Sequence, residues 1–158
     1  MRTIHRDIVG AFIFSSDGKL LLGRSAPKDG GVYSGQWVIP GGGIEPGETP
    51  LQAVRREVFE ETCIDITPYQ TDMVDDLQTG ESEKTLKETG ERVLVQMKFI
   101  DYEIHINKSA SNVGERPTEE LVELMWVSLE ELPNTDLSPP TVEFLKAHGY
   151  FTIDPINS

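Results

Sequence analysis

The sequence predicts an α/β fold, a mixed sheet held between helical layers. Three observations carry this. Residues 3–14 (TIHRDIVGAFIF) and 92–106 (RVLVQMKFIDYEIHI) are long runs rich in β-branched and aromatic types, the composition of strands. Residues 50–62 place Leu51, Val54 and Val58 on one stripe of a 3.6-residue period, as an amphipathic helix docked on a sheet requires. Strands and helices are interspersed, with hairpin connections between several strands, and such a mixture packs as helices on a sheet.

Taken in order, residues 3–14 form the first strand, Ser16-Asp17-Gly18 a hairpin turn, and residues 19–24 (KLLLGR) the returning strand. Residues 25–35 (SAPKDGGVYSG) are turn formers throughout and predict a surface loop facing the site. Residues 36–39 are a short strand that leads through Pro40 into Gly41, Gly42 and Gly43, then the turn Glu45-Pro46-Gly47. The helix over 50–62 begins at Thr49, a good N-cap; Pro50 suits its first position and Gln52 completes a capping box. Residues 64–73 predict a strand interrupted at Pro68. Residues 75–91 (DDLQTGESEKTLKETGE) are polar and charged with no apolar period, which predicts a mobile loop. After the strand at 92–106 come a loop over 107–118, a helical turn over 119–124 and a strand over 125–127. Ser128 caps a short helical turn that ends before Pro133. A last helix runs from Pro140 or Thr141 to His148 and closes at Gly149.

At 158 residues the chain is most simply one domain, long enough to bury a proper core. Hydrophobic residues make up 37% and charged residues 26%, as in folded rather than disordered chains. The 27 acidic against 14 basic residues give a net charge of −13. Nucleic-acid polymers and anionic membranes both need a basic footprint, so they are excluded as partners. A small phosphorylated substrate stays compatible if metal ions neutralise the meeting of like charges. One cysteine, Cys63, allows no internal disulfide and suits a reducing, cytoplasmic setting. No apolar run approaches a membrane span, and the stretch 8–14 is too short for a signal peptide.

The chemistry gathers on the helix after the glycines. Glu57, Glu60 and Glu61 stand three and four residues apart and share one helix face. Three carboxylates together repel one another unless a cation sits among them. A divalent ion fits, Mg²⁺ in particular, since a few carboxylates plus substrate phosphates and waters hold it. The bland reading is a solvated acidic helix in which Arg56 and Glu60 pair at i, i+4; it leaves the glycines and the spacing unexplained.

The run Gly42, five residues, Glu48, seven residues, Arg56-Glu57-Val58-x-Glu60-Glu61-x-x-Ile64 resembles the signature box of the Nudix hydrolase family. One position departs: Cys63 stands where the family has glycine. KLLLGR upstream, GQWVIPGGG entering the box, Trp126-Val127 and the LEEL run at 129–132 are similar to the family's usual surroundings. The resemblance implies an α/β/α sandwich and hydrolysis of a nucleoside diphosphate linked to a second group. It implies that Glu57, Glu60 and Glu61 bind Mg²⁺ or Mn²⁺, that Glu48 lies close enough to reach a metal directly or through water, and that Arg56 orients Glu48 or another glutamate of the box. Gly41 and Gly42 let the backbone come close, and a carbonyl there would be a metal ligand. Glu57 is the first choice for the water-activating base, with Glu119, Glu120 and Glu123 as candidates from outside the box.

Substrate contacts are expected from Arg24, which ends a strand and suits a phosphate, and from Tyr33, Trp37 and Phe14 stacking on a base, although aromatics near strands are more often core. The stretch 31–52, the acidic loop at 75–91 and the Trp126-Val127 strand are most similar to the family's nucleoside triphosphatase branch, whose members release pyrophosphate; ADP-ribose or another nucleoside diphosphate sugar is the rival substrate. Outside enzyme chemistry, the alternatives are a nucleotide sensor that binds without cleaving and a cation-buffering protein. Many family members are homodimers. At Cys63, where the family glycine would favour a left-handed backbone, a slightly different helix ending and a buried thiol are expected.

Overall fold

The computed structural model describes residues 1–26 and 35–151. Its centre is strand β1 (Arg2–Phe14), all of whose residues pair in parallel with β7 (Arg92–His105), from Arg2↔Val93 to Phe14↔His105. Among the described residues the other strand–strand pairings are antiparallel: β2 (Lys19–Arg24) with β1 and with β8 (Glu123–Ser128), and β5 (Gln70–Asp75) and β6 (Thr79–Thr85) with β7; a single parallel bridge joins Trp37 to Leu137. The eight-stranded sheet is therefore mixed. β3 (Trp37–Val38) pairs with β2 at Gly23 and Arg24, while β4 (Gly41–Gly43) pairs with β1 at 8–10. The segment 37–43 thus crosses from one strand to the other where β1 and β2 separate. That wedge positions the site.

Side chains alternate across β1 and β2, and each face has its own core. Val9, Ala11, Ile13 and Leu21 pack with Ala53, Val54 and Val58 of helix α1 (Pro50–Thr62). Phe12, Phe14, Leu20 and Leu22 pack with Leu145 of helix α2 (Pro139–Ala147) on the opposite side. The result is the helix–sheet–helix sandwich expected from the sequence. Val54 and Val58 are fully buried, each contributing about 1.5–3 kcal/mol relative to exposure. The capping box at α1 forms as expected: Thr49 Oγ1 accepts from the Gln52 amide, and the Gln52 side chain accepts from the Thr49 amide. Ser138 caps α2, which runs one or two residues ahead of its expected bounds. Among the described residues no helix is long and apolar enough to cross a membrane.

Several sequence expectations are corrected. Residues 75–91 contain a strand, because β6 pairs with β7 from Thr79↔Lys98 to Thr85↔Arg92. Backbone pairing and polar cross-strand contacts make this edge strand, and its side chains are nearly all exposed, so no apolar period was there to announce it. The interrupted strand at 64–73 begins only at Gln70, after Pro68, and extends to Asp75. Residues 119–122 form no helical turn, and Glu123–Leu124 already belong to β8. Ser128 makes no side-chain cap because it pairs in β8 with Lys19; the following 3₁₀ turn runs from Leu129 through Pro133 to Asn134, and Thr135 closes it with a hydrogen bond from its amide to Leu132 O.

Cys63 corrects two expectations at once. It adopts the left-handed conformation itself, at φ 62° and ψ 15°, and its thiol is exposed. Its amide still donates to Phe59 O at 2.9 Å. The neighbouring contacts impose this: Thr62 Oγ1 donates to Val58 O at 2.7 Å and accepts from the Ile64 amide at 3.2 Å, while the Ile64 side chain is buried. The helix ends as a glycine would end it, at a cost of about 1–2 kcal/mol.

Candidate active site

The site is assembled where β4 faces α1. A Cβ at Gly41 would sit 2.2 Å from Val9 O, and one at Gly42 would sit 2.5 Å from the Glu57 carboxyl carbon. Only glycine lets the strand lie this close to β1 and to the helix. The Gly41 amide donates to Glu61 Oε1 at 3.0 Å. Glu57 and Glu61, one turn apart, are thereby buried against the glycine strand.

Arg56 ties the surrounding pieces together. Its guanidinium donates to both carboxylate oxygens of Glu48 (2.6 and 2.9 Å), to Gly43 O (2.9 Å), to Glu57 (2.9 Å) and to Glu60 (3.3 Å). One planar fork thus joins the glycine strand, the turn after it and the helix. The Arg56 bond, reinforced by the Glu45 amide, holds the Glu48 carboxyl below its ordinary range.

The third carboxylate arrives from elsewhere in the chain. Glu120 stands before β8, and one oxygen of each of Glu57, Glu61 and Glu120 lies within 4.8 Å of the others. Burial pushes the Glu61 carboxyl up to about 9 against the opposing pull of the Gly41 amide, and Glu57 and Glu120 raise it further. Glu120 is raised by partial burial and then by Glu57 and Glu60, with Arg56 acting the other way. Among the described residues Glu61 has no cationic partner. An all-oxygen donor set with excess negative charge at close quarters fits a hard divalent cation.

The sequence-predicted residues are distributed unevenly. Glu60 does not join the trio; it is exposed and its carboxylate turns towards Arg56. Glu48 is engaged by Arg56 rather than directed at the trio. Glu120, considered from sequence only as an outside candidate for the base, belongs with Glu57 and Glu61. Glu119 is exposed, and Glu123 pairs with Arg24. Arg24 is itself occupied, by that pair and by the Trp37 ring, whose centroid lies 4.9 Å from the guanidinium carbon. It shares the face of Leu20 and Leu22, opposite the one that α1 covers. Trp37 is half-buried against the same core. Phe14 is core, stacked on His105 and tilted against Tyr150, and offers no surface to a base. Tyr33 lies outside the described residues.

Comparisons with known proteins show the family and the fold. The family model described as NUDIX domain matches residues 4–148. The nucleoside triphosphatase NudI of Escherichia coli K12 is 33% identical over 142 residues, covering 87% of this chain and 92% of that protein. The crystal structure of a MutT protein from Methanosarcina mazei Go1 superposes with a TM-score of 0.62 at 25% identity, over 94% of this chain and 96% of that one. DR0079 from Deinococcus radiodurans shares the fold, with a TM-score of 0.65 at 18% identity over 90% of this chain and 82% of that one.

Proposed function

This chain belongs to the Nudix family and is a Nudix hydrolase, and from that premise we propose that it hydrolyses nucleoside triphosphates to monophosphate and pyrophosphate with a divalent cation. The observation that carries the chemistry is the trio Glu57, Glu61 and Glu120 beside the glycine strand. The similarity to a nucleoside triphosphatase over most of both chains supports the substrate class.

Glu57, Glu61 and Glu120 would hold Mg²⁺ or Mn²⁺, with the Gly41 carbonyl as a backbone donor, and Glu60 and Glu48 joining after release from Arg56. The bound ion supplies charge neutralisation at the phosphate oxygens and acidifies water. Glu57 takes the proton of the attacking water, whose oxygen bonds to phosphorus as the anhydride P–O bond breaks and pyrophosphate leaves. Arg56 keeps Glu57 turned towards the glycine strand through its 2.9 Å bond. Gly42, Arg24, Trp37 and Tyr33 are the proposed contacts to substrate: Gly42 through its backbone, since the Glu57 carboxylate fills the space beside it, and Arg24 by giving up Glu123 for a phosphate that reaches round to its face of the sheet. A cytoplasmic protein acting as one domain on a small nucleotide, alone or as a homodimer, accords with the single cysteine and the charge of −13.

The test is pyrophosphate and phosphate release from a panel of nucleoside triphosphates, ADP-ribose and nucleoside diphosphate sugars, with Mg²⁺ or Mn²⁺. Triphosphates are expected to turn over fastest. Preferential cleavage of a diphosphate sugar would replace the substrate class, and tight binding with no turnover would make the protein a sensor.

A further inference from the structure

The loop that delivers Glu120 is held by one hydroxyl. Thr118 Oγ1 donates to the backbone carbonyl of Glu61 at 3.2 Å and accepts from the amides of Glu120 and Leu121, each at 3.3 Å. A threonine hydroxyl has one proton and two lone pairs, and all three are used here. The same residue's amide donates to Leu121 O at 2.9 Å, closing the turn. Upstream, the Arg116 amide donates to Thr62 O at 2.8 Å. Downstream, the buried Leu121 side chain fills the notch at Gly23, where a Cβ would sit 2.4 Å from Leu121 Cδ1. The Val122 amide then donates to Arg24 O at 2.9 Å.

We propose that Thr118 is a positioning residue whose hydroxyl couples the end of α1 to the Glu120 loop and so sets the Glu120 carboxylate against Glu57 and Glu61. This rests on the metal reading above. The physical need is specific. Carboxylates whose oxygens lie within 4.8 Å of one another crowd and, where ionised, repel, which pushes Glu120 outwards, and Glu120 is the one member on a loop rather than on the helix. A tether to Glu61's own carbonyl ties the loop to the residue it must approach. Valine has the shape of threonine without the hydroxyl, and serine keeps the hydroxyl without the methyl.

The experiment measures Mn²⁺ affinity by paramagnetic resonance without nucleotide, together with kcat and KM, for Thr118→Val, Thr118→Ser, Glu120→Gln and the double variant Thr118→Val/Glu120→Gln. Thr118→Val is expected to weaken Mn²⁺ binding and lower kcat by about tenfold or more, with KM for nucleotide changed far less, and Thr118→Ser to restore both. In the Glu120→Gln background Thr118→Val should cost nothing further. Additive losses, or a Thr118→Val protein that binds Mn²⁺ as the wild type does, would overturn the proposal. Loss of fold is separated by the melting temperature and by the serine variant. If instead Glu61→Gln leaves Mn²⁺ binding untouched, the metal reading fails, which is a different result.

Discussion

Asp101 and Glu61 are carboxylates buried on opposite faces of the same sheet, at 1% and 7% exposure, and they are treated in opposite ways. Asp101, on β7, meets His148 Nε2 at 3.0 Å below the end of α2, and Asp75 lies 3.9 Å from the same nitrogen. Burial raises its pKa and His148 pulls it back. Glu61 has only an amide, and its charged neighbours are two more carboxylates. A buried acid with its own basic partner is a structural latch; a buried acid facing other acids is a place for a cation. Depth alone does not distinguish a site. The missing counter-charge does.

The largest effect should come from Glu61→Gln. Removing the acid that calls for a cation is expected to lower kcat by on the order of 10²–10³ without lowering the melting temperature in the presence of chelator. Activity that survives would erase the contrast with Asp101. His148→Ala is the converse change: it leaves Asp101 buried without its basic partner, and denaturant melts should show a loss of about 2–3 kcal/mol. Turnover per folded molecule should hold, and a kcat drop as deep as that of Glu61→Gln would make the latch part of the site.

A smaller effect separates the two carboxylates by pH. Glu61 keeps its proton in the folded protein up to about 9, whereas an ordinary glutamate releases it near 4.5. Between those values the folded protein binds a proton that the unfolded chain does not. Unfolding then releases it, and stability falls as pH rises through that window. Melting temperature measured against pH in chelator should decline by several degrees, on the order of 5 °C or more. Glu61→Gln should flatten the slope and saturating Mg²⁺ should offset it; an unchanged slope in Glu61→Gln would transfer the effect to Asp101. The smallest change is at the end of α1. Cys63→Gly relieves the left-handed strain and should stabilise the protein by about 1 kcal/mol, measured by melting, with Mn²⁺ affinity unaltered.

Legibility followed the range of the interactions. The cap at Thr49, the helix 50–62 and the long strands at 2–14 and 92–105 depend on neighbours three or four residues away, or on a continuous apolar run, and both are written locally. β6 was illegible because it is held by backbone pairing with β7 and by polar cross-strand contacts such as Gln96 to Glu81 and Arg92 to Glu83, none of which leaves an apolar period in the sequence. Glu60 and Glu61 are adjacent letters of one pattern, yet one is turned to Arg56 and solvent and the other is pressed against Gly41. Nothing in the spacing separates them. Glu120 lies 59 positions beyond Glu61, and only the anchoring of its loop at Thr62, Gly23 and Arg24 brings it back.

By itself, then, the sequence determined the glycine strand, the capped helix and the acidic face that any pattern of this kind must present, because those follow from local geometry and from repulsion between near neighbours. The tertiary structure decided which carboxylates meet, since the crossing of residues 37–43 between β2 and β1 and the hydroxyl bonds of Thr118 join segments that no local period connects. Whether a charge is answered depends on what packs against it in space, and that is settled only when distant parts of the chain share one core.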